Sequence, residues 1–126
     1  MKTAQQLVAD AKANITEIDV NEAEKLCSKA DIVIDIREPE EYAAGHLKEA
    51  ISIPRGVLEF KIGDLPNIDS DSQIILYCKT SGRAALATES LEKMGYEQVR
   101  SIAGGYEAWL EAGKPTVQPN DGIDFG

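Results

Sequence analysis

The chain of 126 residues is 43% hydrophobic, enough for one domain around a single core. Its 13 basic and 22 acidic residues leave a net charge of −9, which repels phosphate backbones and argues against nucleic acid as a partner. No apolar run has the form of a secretory leader or the length of a membrane span, and the two cysteines are too few for a disulfide framework. The expectation is therefore a soluble cytoplasmic protein whose thiols stay reduced.

Taken in chain order, Ala4 to Ala13 carries Leu7, Val8 and Ala11 at helical spacing and predicts a short amphipathic helix on the outside of the domain. Thr16 to Asp19 is a short strand candidate. Asn21 and Glu24 have the spacing of an N-cap and its capping-box partner, ahead of a helix with Ala23, Leu26 and Cys27 on its apolar stripe. Ile32-Val33-Ile34 is a β-branched run expected to be buried on both faces. Glu38 to Ala44 reads as a short helix, and Ile51-Ser52-Ile53 as a short strand ending at Pro54. Ile74 to Tyr77 is a second fully buried strand. Arg83 to Met94 predicts the longest helix, with Gly95 placed to terminate it. Val99 to Ile102 is a weaker strand, and Tyr106 to Ala112 a helix stopped by Gly113 and Pro115. Strands alternating with helices imply a parallel sheet covered on both faces. The expected organisation is a helical extension over 1–14, a domain over 15–115 and a flexible tail over 116–126.

In such sheets ligands bind beyond the carboxyl ends of the strands. Cys78 stands there, heading the loop Cys78-Lys79-Thr80-Ser81-Gly82-Arg83 just before the longest helix. A tight loop can turn its amides inward as an anion cradle, and the helix N-terminus adds partial positive charge. Lys79 and Arg83 can add whole charges if they fold toward that point. Together these features favour thiolate over thiol. Thr80 and Ser81 offer hydroxyl donors, and Gly82 permits the turn. A cysteine after a hydrophobic strand is ordinarily a core residue, but the polar loop reverses that expectation here. Cys27, on an inward helical stripe without basic neighbours, is read as core, and a Cys27–Cys78 disulfide is not expected. Cysteine, amide cradle and closing arginine suit attack on phosphorus, giving a phosphocysteine, or on a sulfur donor, giving a persulfide.

Three stretches carry a family likeness. The first is Ile34-Asp35-Ile36-Arg37-Glu38-Pro39-Glu40-Glu41-Tyr42, followed by Gly45-His46-Leu47 and Ala50-Ile51-Ser52-Ile53-Pro54. The second runs from Leu76-Tyr77-Cys78 to Arg83-Ala84, and the third is Gly104-Gly105-Tyr106-Glu107-Ala108-Trp109. The chain resembles the single-domain rhodaneses over roughly Ile15 to Pro115. That resemblance implies a three-layer α/β/α domain with a five-stranded parallel sheet. It also implies a sulfurtransferase, with Cys78 taking sulfur from a donor such as thiosulfate and passing it to cyanide or a thiol. Rhodaneses typically have a six-residue loop, whereas the related cell-cycle phosphatases and arsenate reductases have seven; Cys78 to Arg83 matches the shorter one. The chain departs from the family's Gly-His-Ile-Pro-Gly-Ala, reading Gly45-His46-Leu47-Lys48-Glu49-Ala50. Its loop lacks the second-position arginine of the two-domain enzymes, and Lys79 stands there instead.

The site expectations follow. Cys78 is the nucleophile, and Lys79, Thr80, Ser81, Gly82 and Arg83 hold the donor. Asp35 and Arg37 support them, either with Asp35 accepting hydrogen bonds from the loop or as an ion pair closing a turn. The resemblance makes His46 a structural turn residue rather than a base. Trp109 is assigned to the core, with Tyr106 nearer the pocket rim. Gly104-Gly105 lacks the third glycine of a dinucleotide fingerprint and reads as a close helix–strand turn. No cofactor is expected, and one histidine with two separated cysteines makes no metal ligand set. Expected partners are a small anionic sulfur donor and a thiol or protein acceptor, with no nucleic acid or membrane. The alternatives are a rhodanese-fold docking or regulatory module and, further off, a cysteine phosphatase or arsenate reductase.

Overall fold

The computed structural model describes residues 1–118. Five parallel strands form one sheet: β1 (Thr16–Ile18), β2 (Ile32–Asp35), β3 (Ala50–Ser52), β4 (Gln73–Tyr77) and β5 (Gln98–Ile102), in the spatial order β1-β5-β4-β2-β3. Six helices accompany them: α1 (Ala4–Lys12), α2 (Val20–Cys27), α3 (Pro39–Ala44), α4 (Leu58–Ile62), α5 (Gly82–Lys93) and α6 (Gly105–Glu111), with a 3₁₀ turn at Arg55–Val57.

Side-chain alternation along the central strands divides the core into two layers. Ile34, Ile36, Ile74, Leu76 and Cys78 face α4 and α5, meeting Leu58, Ile62, Ala84, Ala87 and Leu91. Val33, Ile75 and Tyr77 face the other way, toward α2 and α6, meeting Ala23, Cys27 and Trp109. The expected three-layer α/β/α domain is what these residues build. Both faces of β2 and β4 are apolar because both are covered, which is why those strands read as continuous hydrophobic runs.

The topology fixes where a ligand would go. From β2 the chain moves outward to β3, then returns past β2 to place β4 on its other side. Successive connections therefore leave in opposite directions between β2 and β4, opening a crevice at their carboxyl ends. Asp35 and Tyr77 are register partners at that point, and Cys78 is the next residue.

Two local expectations are corrected. Helix α2 is capped by Asp19, which accepts from the Glu22 amide at 2.8 Å, so Asn21 lies inside the first turn. Its capping pair with Glu24 does not form because the helix starts two residues earlier. Past Pro115, Val117 exchanges backbone hydrogen bonds of 2.8 and 2.9 Å with His46, so the chain is tied to the domain beyond the expected boundary at 116. The remainder of that expected tail, 119–126, lies outside the described residues.

Candidate active site

The chain leaves β4 at Tyr77, turns through Cys78–Ser81 and enters α5 at Gly82. Cys78 is 1% exposed, and its Sγ accepts a hydrogen bond from the Ala84 amide at 3.3 Å. Ala84 is the third residue of α5, whose amide an N-cap side chain ordinarily takes. Ser81, in the N-cap position, makes no such bond. The sulfur of Cys78 therefore caps the helix.

The orientation of the loop follows from its carbonyls. Cys78 O and Lys79 O accept from the amides of Tyr106 and Glu107, both at 2.9 Å, so the start of α6 holds the loop from behind. Gly105 makes this approach possible. At its φ of +58°, a Cβ would lie 2.1 Å from Thr80 O, 2.4 Å from Cys78 O and 2.9 Å from Lys79 O. Three successive carbonyls thus point at α6, and in trans peptides the amide following each carbonyl points oppositely. The amides of Lys79, Thr80 and Ser81 face away from α6 as a concave donor set. Among the described residues, no amide from Lys79 to Arg83 donates to a protein group. The turn expected at Gly104-Gly105 is this seat for the loop.

The flanking charges are arranged differently from the expectation. Arg83 is engaged by a carboxylate from another helix. Its guanidinium bonds the Glu41 carboxylate of α3 at 3.1 and 3.4 Å, across the mouth of the crevice. Glu41 raises the pKa of Arg83, aided by attraction to the Cys78 sulfur, and Arg83 in turn lowers the pKa of Glu41. Lys79 and Thr80 are exposed. A cation absent from the sequence reading is Lys12 of α1, whose Nζ donates to Ser81 Oγ at 2.6 Å. Their separation of 69 positions hides this pairing from any local pattern.

Asp35 and Arg37 form a buried pair at 2.7 Å, 0% and 4% exposed. Both carboxylate oxygens of Asp35 accept from Arg37, which also donates to Gly45 O at 2.6 Å and lies 4.1 Å from the Tyr106 ring centroid. Of the two expectations for this pair, the geometry is the closed turn. His46 is buried, stacked on Tyr42 at 3.8 Å, with Nδ1 2.7 Å from Leu47 O, so it serves the turn. Cys27 lies in the core, where burial and the charge of Glu49 push its thiol up to about 12. Among the described residues no His, Cys, Asp and Glu side chains group to hold a metal, and no helix is long and apolar enough to cross a membrane.

A family model described as the rhodanese-like domain matches residues 19–112. A protein named sulfurtransferase from Allochromatium vinosum is 30% identical over 107 residues, 83% of this chain and 97% of that one. A chloroplastic protein of Arabidopsis thaliana, named thiosulfate sulfurtransferase 16, is 32% identical over 110 residues, covering 80% and 92%. Among solved structures, a protein from Rhodopseudomonas palustris described as a possible tyrosine phosphatase superposes with a TM-score of 0.81. It is 30% identical, over 93% of this chain and 96% of that one.

Proposed function

The chain belongs to the rhodanese-like domain family, and on that footing we propose that Cys78 carries sulfane sulfur as a persulfide from an anionic donor such as thiosulfate to cyanide or a thiol. The carrying observation is the Cys78 sulfur on the Ala84 amide, beside a row of amides with no protein acceptor. These donors and the positive end of α5 stabilise negative charge on sulfur, before and after transfer.

The Cys78 thiolate attacks the outer sulfur of thiosulfate. A new S–S bond forms, the bond to the sulfonate breaks with its electron pair, and sulfite leaves. Cysteine persulfide keeps the single negative charge of the thiolate, so the amides that held one hold the other. An acceptor thiolate or cyanide then takes the outer sulfur and restores the thiolate. No proton moves in either half, so the site requires no base, and His46 is committed to its turn. The name of the Arabidopsis relative supports thiosulfate as the donor. We place the reaction in the cytoplasm, with no cofactor.

The test is intact mass after incubation with thiosulfate. Wild type should gain one sulfur atom and lose it to cyanide, whereas Cys78→Ser should gain none. A wild type that gains nothing overturns the proposal. The description of the Rhodopseudomonas palustris structure favours a second reading, a cysteine phosphatase. A phosphate ester assayed alongside thiosulfate decides between them, and the six-residue loop supports sulfur.

A further inference from the structure

Residues 1–18 precede the family match, yet the helix they contain reaches the Cys78 loop. Helix α1 is closed at its start by a reciprocal capping box between Thr3 and Gln6, and it packs along α5 with Ala11 fully buried. Val8 comes within 3.5 Å of where a Cβ on Gly82 would stand. One turn further on, Lys12 Nζ is 2.6 Å from Ser81 Oγ and 3.9 Å from Glu17 Oε2, held between a hydroxyl and a carboxylate.

Ser81 is the residue this contact acts on. A serine at an N-cap ordinarily turns its hydroxyl back onto the amide of the second or third helical residue. Those residues in α5 are Arg83 and Ala84, and the Ala84 amide is the one on the Cys78 sulfur. Helices α1 and α2, whose N-cap side chains bond their first-turn amides, have ψ of 165° and 170° at Thr3 and Asp19, whereas Ser81 has ψ of −12°. With α5 fixed, rotating Ser81 to the capping value would swing the preceding loop and its amides. A capping Ser81 would therefore compete with the sulfur for Ala84 and disturb the cradle.

We propose that Lys12 is a positioning residue for donor binding: it engages the Ser81 hydroxyl and so keeps Ser81 from capping its own helix, leaving the amides to the sulfur and the incoming anion. This inference rests on the sulfurtransferase reading for its substrate, but not for its geometry.

The test measures persulfide formation against thiosulfate concentration in wild type, Lys12→Met, Ser81→Ala and the double variant. Lys12→Met should raise the half-saturating thiosulfate about fivefold, the equilibrium worth of one N-cap hydrogen bond. Its limiting rate should stay within twofold. The double variant should match Ser81→Ala within twofold, because alanine cannot cap, and Lys12→Arg should approach wild type. An unchanged Lys12→Met, or a penalty carried undiminished into the Ser81→Ala background, overturns the inference. The second outcome would mark Lys12 as a source of charge only. If wild type forms no persulfide, the sulfurtransferase reading fails, and amide NMR still decides this one. The Arg83 and Ala84 resonances should move in Lys12→Met and return in the double variant, and resonances that stay in place overturn it. Should Lys12→Met not fold, Lys12→Gln enters the same series.

Discussion

The amide of Ala84 and the sulfur of Cys78 meet at 3.3 Å, so α5 begins on a thiol where a helix ordinarily begins on a capping oxygen. One atom thus serves as helix cap and as candidate nucleophile. Fold stability and sulfur chemistry should then separate by substitution. Cys78→Ser keeps an acceptor for the amide, whereas Cys78→Ala leaves it unpaired. Both should abolish the sulfur mass gain, yet the serine variant should be more stable by about 1 kcal/mol. Urea unfolding of the two variants checks this. Equal stabilities, or an alanine variant more stable than the serine one, would show that the contact does not cap.

Gly105 is the second strict requirement. Its φ of +58° and three loop carbonyls within 3 Å of an added Cβ leave no room for alanine. Gly105→Ala should cost about 3 kcal/mol or more through backbone strain and a displaced loop. Gly113 is the control, since its φ is +72° but a Cβ would meet open space. Gly113→Ala should cost only about 1 kcal/mol, the left-handed penalty alone. Thermal melts measure both. Persulfide formation per folded molecule should fall in the Gly105 variant and hold in the other.

Cys27 should resist an alkylating reagent while the protein is folded. Burial, with the charge of Glu49, pushes the Cys27 thiol up to about 12, so it stays protonated at pH 8. Native protein treated with iodoacetamide at that pH should therefore carry no label on Cys27, which peptide mapping checks. Cys27 should react at the same rate as an unstructured thiol only after unfolding. Labelling of Cys27 in the native state would overturn its assignment to the core.

The Glu41–Arg83 bridge carries a pH signature. Arg83 holds the Glu41 carboxyl below its ordinary range, so the unfolded chain takes up this proton at higher pH than the folded one. The stabilisation is present above the ordinary carboxylate pKa and is lost as pH falls through the lowered folded value. Both side chains are partly exposed, which limits the effect to about 0.5 kcal/mol. Glu41→Gln should melt slightly below wild type at pH 7, and the two should converge toward pH 3. The glutamine retains an oxygen for the Glu38 amide, so the α3 capping bond is preserved in the comparison. A difference that persists at low pH would assign the effect to packing.

Local chemistry made much of this protein legible. Ile32-Val33-Ile34 and Ile74 to Tyr77 are apolar without interruption because both faces of a central parallel strand are covered, and that pattern survives in one dimension. Cys78 was legible for a similar reason: strand, polar loop and helix start are contiguous, and contiguity implies the helix terminus beside the thiol. The N-cap of α2 was missed because Asp19 and Asn21 are equally good caps by type, and packing of Ala23 and Cys27 chose the helix start.

What the chain could not disclose by itself lies where distant segments meet. Arg83 reads as a cation near the thiol, and only the placement of α3 shows that Glu41 pairs with it. Asp35 reads equally as a brace for the loop or as Arg37's partner, and only the fold shows the two paired in a buried contact. Lys12 has no motif at all, since it lies 69 positions from Ser81. The division has a physical basis. Propensity, periodicity and backbone orientation act between neighbours and can be read in order. The pairing of one charge with another depends on which surfaces the folded chain brings together.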